Sequence, residues 1–87
     1  MTASAQVSIY PLRQERLGPT IDAVREAFEA RGLKPQVGPM STIVSGQCDL
    51  IFAALHEAFA GAAAKGDVVM TVTVSNACPT FGRRSEN

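Results

Sequence analysis

Uncharged hydrogen-bonding side chains recur in three parts of this chain. They comprise seven hydroxyl groups and one amide: Ser8, Tyr10, Ser41, Thr42, Thr71, Thr73, Ser75 and Asn76. Such groups offer donors and acceptors without formal charge, and together with an aromatic ring they are typical of a site for a small, flat heterocycle. A solvated sheet face, or a face buried against a second copy of the chain, would use the same residues, because threonine also favours strands. Composition leaves these alternatives open.

Groups that could support catalysis or bind a metal are sparse. The single histidine, His56, falls within a predicted helix, where a lone histidine is more often a surface residue than a base. No serine has a recognisable His–Asp partner, and the sequence contains no phosphate-binding glycine loop. Cys48 and Cys78 lack metal-ligand spacing, and we expect both to stay reduced thiols. The sequence therefore predicts a protein that is not an enzyme and uses no cofactor or metal.

Charge and hydropathy argue against two further classes of protein. The formal net charge is zero, unlike the clustered lysine and arginine of a nucleic-acid-binding surface. RNA-binding domains with the strand order predicted below stack bases on aromatic residues of the two central strands, and here only Tyr10 could serve. No apolar run approaches the ~20 residues of a membrane span, and the N-terminus lacks the basic and apolar blocks of a secretory signal. We expect no nucleic-acid partner, no membrane insertion and a cytoplasmic location.

The spacing of apolar residues predicts six secondary-structure elements. They are a strand at 5–11, a helix that begins at Pro19 and ends at Gly32, strands at 33–40 and 41–46, a helix from Asp49 to Gly66, and a strand at 67–75. Asp49 is the predicted N-cap of its helix, and Gly32 is predicted to end the first helix in a left-handed conformation. Pro35 and Pro39 cannot donate to a strand ladder, so the second strand belongs at a sheet edge.

This order predicts a ferredoxin-like βαββαβ domain of the α+β class. Right-handed crossovers place the first and third strands at the centre of a four-stranded antiparallel sheet, with both helices on one face. We expect Val7 and Ile9 to face the helices and Ser8 and Tyr10 to face the opposite side. A chain of 87 residues argues for one domain, predicted at 1–79, with an irregular tail at 80–87.

The second predicted helix has two distinct faces. Its predicted core face consists of residues at helical spacing: Ile51, Leu55, Ala58, Phe59 and Ala62. Its outer surface is rich in alanine: Ala53, Ala54, Ala60, Ala63 and Ala64. Helix propensity explains such a surface, and so does contact with another subunit.

The sequence resembles a known family in four segments. In chain order they are "VSIYPL" from Val7, "MSTIVSG" from Met40, "IFAALHEAF" from Ile51 and "VVMTVTVSNACP" from Val68. Together they are similar to the YkoF-like family of thiamine and hydroxymethylpyrimidine binding proteins. The resemblance extends from about Ala5 to Pro79.

That resemblance implies a ferredoxin-like fold and the non-catalytic binding of thiamine or its hydroxymethylpyrimidine moiety. The implied role is uptake or salvage of thiamine or a precursor, often beside a transporter. The ligand-binding residues implied by the motifs are Ser8, Tyr10, Ser41, Thr42, Ser75, Asn76 and Cys78. Their hydroxyl and amide groups can bond the amino group and ring nitrogens of a pyrimidine, and Tyr10 or Phe52 could pack on its ring. Cys78 could instead be a structural thiol.

Two features depart from the family pattern. Leu12 stands where the resemblance predicts methionine. YkoF itself carries two such domains in one chain, whereas this sequence has one, so the resemblance implies a homodimer or homotetramer. The alanine-rich helix and the polar sheet face are both candidate contacts. The alternative function is an oligomeric regulatory or structural module without thiamine affinity, in which Ser8 and Tyr10 bond across a subunit interface.

Overall fold

A computed structural model describes residues 1–13 and 18–77. Its elements are β1 (Thr2–Pro11), α1 (Gly18–Glu29), β2 (Gln36–Val37), β3 (Thr42–Gln47), α2 (Cys48–Ala63) and β4 (Val68–Ser75). Because these elements follow the predicted order and the strands form one antiparallel sheet, the ferredoxin-like α+β fold is confirmed. Cys78 and the predicted tail at 80–87 lie outside the described residues.

The sheet has the strand order β2-β3-β1-β4, so β1 and β3 are central, as predicted. The predicted edge strand at 33–40 shrinks to the two residues of β2, which pair with Ile43 and Thr42 of β3. Pro35 and Pro39 bracket β2 closely, and neither proline has a backbone N–H to extend the ladder. The shortened strand therefore follows from the proline positions themselves.

The core lies between one face of the sheet and the two helices. Its most deeply buried members come from every layer: Val7 of β1, Val24 and Phe28 of α1, Val44 of β3, and Ile51 of α2. In β1, alternate residues from Ala3 to Ile9 are buried, which confirms that Val7 and Ile9 face the helices. The strand begins at Thr2 rather than residue 5 because Ala3 also packs into this core.

The helix ends show one confirmed prediction and one correction. Gly32 has a φ of +77°, the left-handed conformation predicted for it. The backbone N–H of Gly32 donates to Glu29 O at 3.0 Å, and that of Leu33 donates to Phe28 O at 3.1 Å, which together form a Schellman motif. The N-cap prediction at Asp49 is wrong, because α2 begins at Cys48 with Gln47 as its N-cap, two residues before the predicted N-cap.

The buried face of α2 is rotated relative to the prediction. Phe59 was expected in the core but is 43% exposed, whereas Ala54, expected on the outer surface, is fully buried. A methyl side chain at 54 allows the helix backbone to approach the layer beneath it, and the bulkier phenylalanine then lies outside that contact. The other predicted core residues of α2 are buried: Ile51, Leu55, Ala58 and Ala62.

Candidate functional site

The central strand β1 extends past the start of its neighbour β3. The last β1–β3 pair joins Val7 to Thr42, whereas β1 continues to Pro11 along β4. Ser8 to Tyr10 therefore have no β3 residues paired with them. The turn that precedes β3 lies beside them instead. The backbone N–H of Gly38 donates to Ser41 O at 2.8 Å and closes this turn. The result is a notch in the sheet, bounded by a strand edge and a turn.

A cavity of about 230 Å³ occupies this notch. Its described lining comes from β1, the start of α1 and the β2–β3 connection: Val7, Ser8, Ile9, Tyr10, Ile21, Val37, Gly38, Pro39, Met40, Ser41 and Thr42. None of these lining residues carries a formal charge. The cavity therefore combines apolar walls with uncharged hydrogen-bonding groups, which suits a small molecule of low charge.

Thr42 lines this cavity, and its hydroxyl has no hydrogen-bond partner among the described residues. The residue is only 5% exposed, and within residues 1–13 and 18–77 its Oγ1 has no hydrogen-bond partner. In the same part of the chain, every fully buried side-chain oxygen or nitrogen has a partner. Oγ1 must therefore reach open space, and Thr42 lines the cavity. A nearly buried hydroxyl in this position is poised to bond a ligand.

Ser8 and Tyr10 occupy the other side of the notch. Ser8 Oγ donates to the carbonyl oxygen of Met40 at 3.1 Å, which ties the turn to β1. Tyr10 is 46% exposed, so its ring is available at the rim. Met40 is largely exposed and can pack its flexible thioether over an occupant. A hydrogen bond therefore holds the turn against β1, and the exposed side chains of Tyr10 and Met40 lie at the rim of the cavity.

The third predicted motif lies at the opposite end of the sheet. Ser75 pairs with Ser4, six residues along β1 from Tyr10, a separation of about 20 Å at ~3.4 Å per residue. Ser75 Oγ accepts the backbone N–H of Ala77 at 3.0 Å, and Asn76 Nδ2 lies 3.7 Å from Met1 Sδ. One copy of the chain therefore brings Ser8, Tyr10, Ser41 and Thr42 together but leaves Ser75 and Asn76 apart from them.

Other candidate groups lie away from the cavity. Phe52 and His56 line a separate groove beside β4, so Phe52 does not contact the notch. No group of three or more His, Cys, Asp or Glu residues that could hold a metal ion occurs in the described part of the chain. Cys48 is a free, partly buried thiol. Nor does any helix of residues 1–13 and 18–77 have the length and hydropathy to cross a membrane.

Sequence reasoning missed the turn that closes the cavity. Val37 to Met40 form one wall of the cavity, whereas Pro35 and Pro39 predict from the sequence only an edge strand. The available signal was the "GPMS" segment between two short strands, since such turns commonly carry binding residues.

The family model for thiamine-binding proteins matches residues 5–76. The chain belongs to the thiamine-binding protein family. The matched segment contains all the described residues that line the notch cavity, and also Ser75 and Asn76 of the third motif. A comparison with curated proteins finds no significant match.

Several solved structures have the same fold as this chain and match it over most of their length. A hypothetical protein of Methanocaldococcus jannascii shares 25% identity with a TM-score of 0.78, covering 99% of this chain and 84% of that chain. A protein of Streptococcus pneumoniae shares 26% identity with a TM-score of 0.77, covering 86% of each chain. A Thermotoga maritima protein, named as a candidate thiamine biosynthesis/salvage protein, shares 22% identity with a TM-score of 0.73, covering 85% of this chain and 82% of that chain. At 22% identity, this last similarity shows the fold alone.

Proposed function

We propose that this protein binds thiamine through its hydroxymethylpyrimidine moiety, without catalysis, in uptake or salvage of thiamine or a precursor. The observation that carries the proposal is the unpaired, nearly buried hydroxyl of Thr42 in an uncharged cavity inside the segment matched by the family. The name of the Thermotoga maritima protein supports the salvage role. A cytoplasmic location and a functional link to a precursor transporter are part of the same proposal.

The size of the cavity favours the pyrimidine over the whole vitamin. About 230 Å³ lies below the ~300–1,000 Å³ of sites that enclose drug-sized ligands. A single substituted ring suits this volume better than two linked rings. The thiazolium ring of thiamine is cationic, and no described lining residue offers a compensating charge. In the proposed complex, the thiazolium therefore extends past the rim into solvent.

Each polar group of the notch has a distinct role in this proposal. Thr42 Oγ1 and the Ser41 hydroxyl bond the amino group and ring nitrogens of the pyrimidine. The backbone edge of β1 beside the turn offers further donors and acceptors, since β3 does not pair with it there. Tyr10 packs against the exposed face of the ring, and Ser8 acts indirectly by holding the Met40 carbonyl.

The remaining motif residues stay predictions. Ser75 and Asn76 lie too far from the notch to contact the same small ligand within one copy. Cys78 lies outside the described residues. A ligand role for Ser75 and Asn76 requires a second copy of the chain or a second binding position.

Isothermal titration calorimetry with hydroxymethylpyrimidine, thiamine and thiamine phosphates tests the proposal. We expect hydroxymethylpyrimidine and thiamine to bind with similar affinity, because the thiazolium adds no buried contact. A ligand that binds only the folded state must also raise the midpoint of thermal unfolding. No heat and no thermal shift with any of these ligands at millimolar concentration would exclude the proposal. That outcome would favour the alternative, an oligomeric module without thiamine affinity.

A further inference from the structure

The backbone of Ile9 lacks a hydrogen-bond partner among the described residues, although the residue lies in a central strand. The ladder between β1 and β3 ends at the pair of Val7 and Thr42, so no residue of β3 pairs with Ile9. Ile9 is only 8% exposed, and its side chain belongs to the core. A buried backbone N–H without a partner is rare, because it has given up its hydrogen bonds to water. Ile9 therefore needs a partner that the described residues do not supply.

The register shows which way the two backbone groups of Ile9 point. In an antiparallel ladder, alternate residues of a strand direct both their N–H and their C=O toward the same neighbour. The N–H of Cys48 donates to Met1 O at 2.8 Å, which assigns the odd-numbered residues of β1 to the β3 side. The N–H of Leu12 donates to Asp67 O at 2.8 Å, which assigns the even-numbered residues to the β4 side. Both groups of Ile9 therefore point to the β3 side, where the notch interrupts the sheet.

No described residue completes the ladder opposite Ile9. A continued register would place Met40 there, but Met40 lies in the turn before β3, and its carbonyl oxygen accepts the Ser8 hydroxyl at 3.1 Å. Within residues 1–13 and 18–77, no backbone or side-chain group bonds the N–H or the C=O of Ile9. Ile9 lines the notch cavity, so these groups face the same uncharged space as the Thr42 hydroxyl. The sheet thus holds one donor and one acceptor side by side at the cavity.

We propose that the backbone of Ile9 determines the specificity of the notch, and that it selects heterocycles with a ring nitrogen and an N–H donor on adjacent atoms. This selection rests on the proposed function, since it assigns the edge of the ligand that the same cavity recognises. In the complex, the ring nitrogen accepts the Ile9 N–H, and the ligand N–H donates to the Ile9 carbonyl oxygen. The ligand thereby makes the two hydrogen bonds that an opposite residue of β3 would make.

Hydroxymethylpyrimidine carries such an edge, because its amino group is attached to the ring carbon next to a ring nitrogen. The second N–H of the amino group and the second ring nitrogen remain for the hydroxyl groups of Ser41 and Thr42. Other single-ring aminopyrimidines share the edge, so the site accepts them as a class. The free thiazole half of thiamine has a ring nitrogen but no adjacent N–H donor, so the site excludes it.

Recognition by the backbone explains how an uncharged site can be selective. The N–H and C=O of Ile9 are fixed by the β1–β4 ladder, so little conformational freedom is lost when a ligand binds them. A ligand that lacks either the donor or the acceptor leaves a buried backbone group unpaired. Sites built to bond a ligand N–H reject analogues without it for this reason.

Amide hydrogen exchange, followed by NMR on the isotope-labelled full chain, tests the pairing of Ile9. Val7 is the internal control, because it lies two residues away on the same face of β1, is 2% exposed and pairs with Thr42. In the free protein, the Ile9 amide should exchange at least about tenfold faster than the Val7 amide. Saturating hydroxymethylpyrimidine should slow exchange at Ile9 by a larger factor than at Val7, because only Ile9 gains a hydrogen bond.

Titration calorimetry with analogues tests the ligand side of the same contact. Hydroxymethylpyrimidine analogues without the amino group, or with a dimethylamino group in its place, have no N–H to donate to Ile9. Both should bind roughly 5- to 150-fold more weakly than hydroxymethylpyrimidine. The monomethylamino analogue is the matched control, since it keeps one N–H, and it should bind more tightly than the dimethylamino analogue.

The outcomes separate this selection from the proposed function. If hydroxymethylpyrimidine binds but the Ile9 amide is as protected as Val7 without ligand, or gains no protection with it, the role of Ile9 is refuted while thiamine binding stands. Equal affinities for the amino and dimethylamino compounds would refute it as well. No heat with any pyrimidine would overturn both the selection and the proposed function.

Discussion

Replacement of Thr42 by valine should affect ligand binding and stability in opposite directions. The substitution exchanges one hydroxyl for a methyl group of similar volume, at a residue that is 5% exposed. The hydroxyl makes no hydrogen bond within the described residues, so its removal breaks no hydrogen bond among them. Valine also favours strands at least as well as threonine does. The folded state should therefore tolerate the change fully.

The expected magnitudes follow from the environment of Oγ1. A buried polar group without a partner costs about 1–3 kcal/mol, but Oγ1 retains some contact with open space. Loss of this oxygen should therefore leave the free energy of unfolding unchanged or raise it by up to about 1 kcal/mol. In the complex, the lost hydrogen bond should weaken hydroxymethylpyrimidine binding by about 1–3 kcal/mol, which corresponds to roughly 5- to 150-fold in Kd.

Two measurements check this prediction on the same samples. Urea unfolding gives the free energy of unfolding, and titration calorimetry gives Kd for hydroxymethylpyrimidine. Thr2→Val is the matched control, because Thr2 is an exposed strand residue at the far end of β1. It should change neither quantity by more than about 0.5 kcal/mol. A Thr42→Val variant that loses stability but binds normally would show that Oγ1 supports the fold rather than the ligand, and would refute the reasoning.

Three further predictions test the rim, the core and the glycines. Tyr10→Ala should weaken hydroxymethylpyrimidine binding in calorimetry by about 1–3 kcal/mol, and Tyr10→Phe by less, because the ring rather than its hydroxyl packs on the ligand; equal losses in both variants would contradict a packing role. Phe28→Ala should cost about 3–5 kcal/mol in urea unfolding, since Phe28 is fully buried; a loss below about 1 kcal/mol would contradict the described core. Gly46→Ala should cost about 1–3 kcal/mol because the new Cβ collides with Leu33 Cδ2. Gly61→Ala, in open space within α2, should instead stabilise by about 0.5–1 kcal/mol, and the same sign for both glycines would count against the described packing.

The first strand shows how much of the fold local sequence contains. Its alternation of polarity predicted that Val7 and Ile9 face the helices, and both are buried. Pro35 and Pro39 predicted an edge strand, and Gly32 predicted a left-handed helix end. Each of these features depends on the backbone chemistry of one residue or on a period of two. Such features depend on only a few neighbouring residues, so they can be predicted from the sequence without knowledge of the tertiary structure.

The packing of α2 shows where local sequence fails. Ala54 and Phe59 exchanged their predicted environments, although both fit a helical period. A helix face about 100° wide leaves the exact rotation undetermined, and the choice depends on how closely the helix can approach its neighbours. The same rotation leaves Phe52 and Phe59 over the open side of β4, which creates a groove that no sequence pattern predicted.

For the candidate site, the sequence by itself determined the chemistry of the side chains. The hydroxyl-rich motifs, the family resemblance and the absence of charge among Ser8, Tyr10, Ser41 and Thr42 are all properties of the chain alone. Only the tertiary structure decided which motifs meet. The β1–β3 register ends at Val7, which opens the notch, and the antiparallel β1–β4 register carries Ser75 to the far end of the sheet. Strand register depends on contacts between residues distant in sequence, and no local periodicity specifies it.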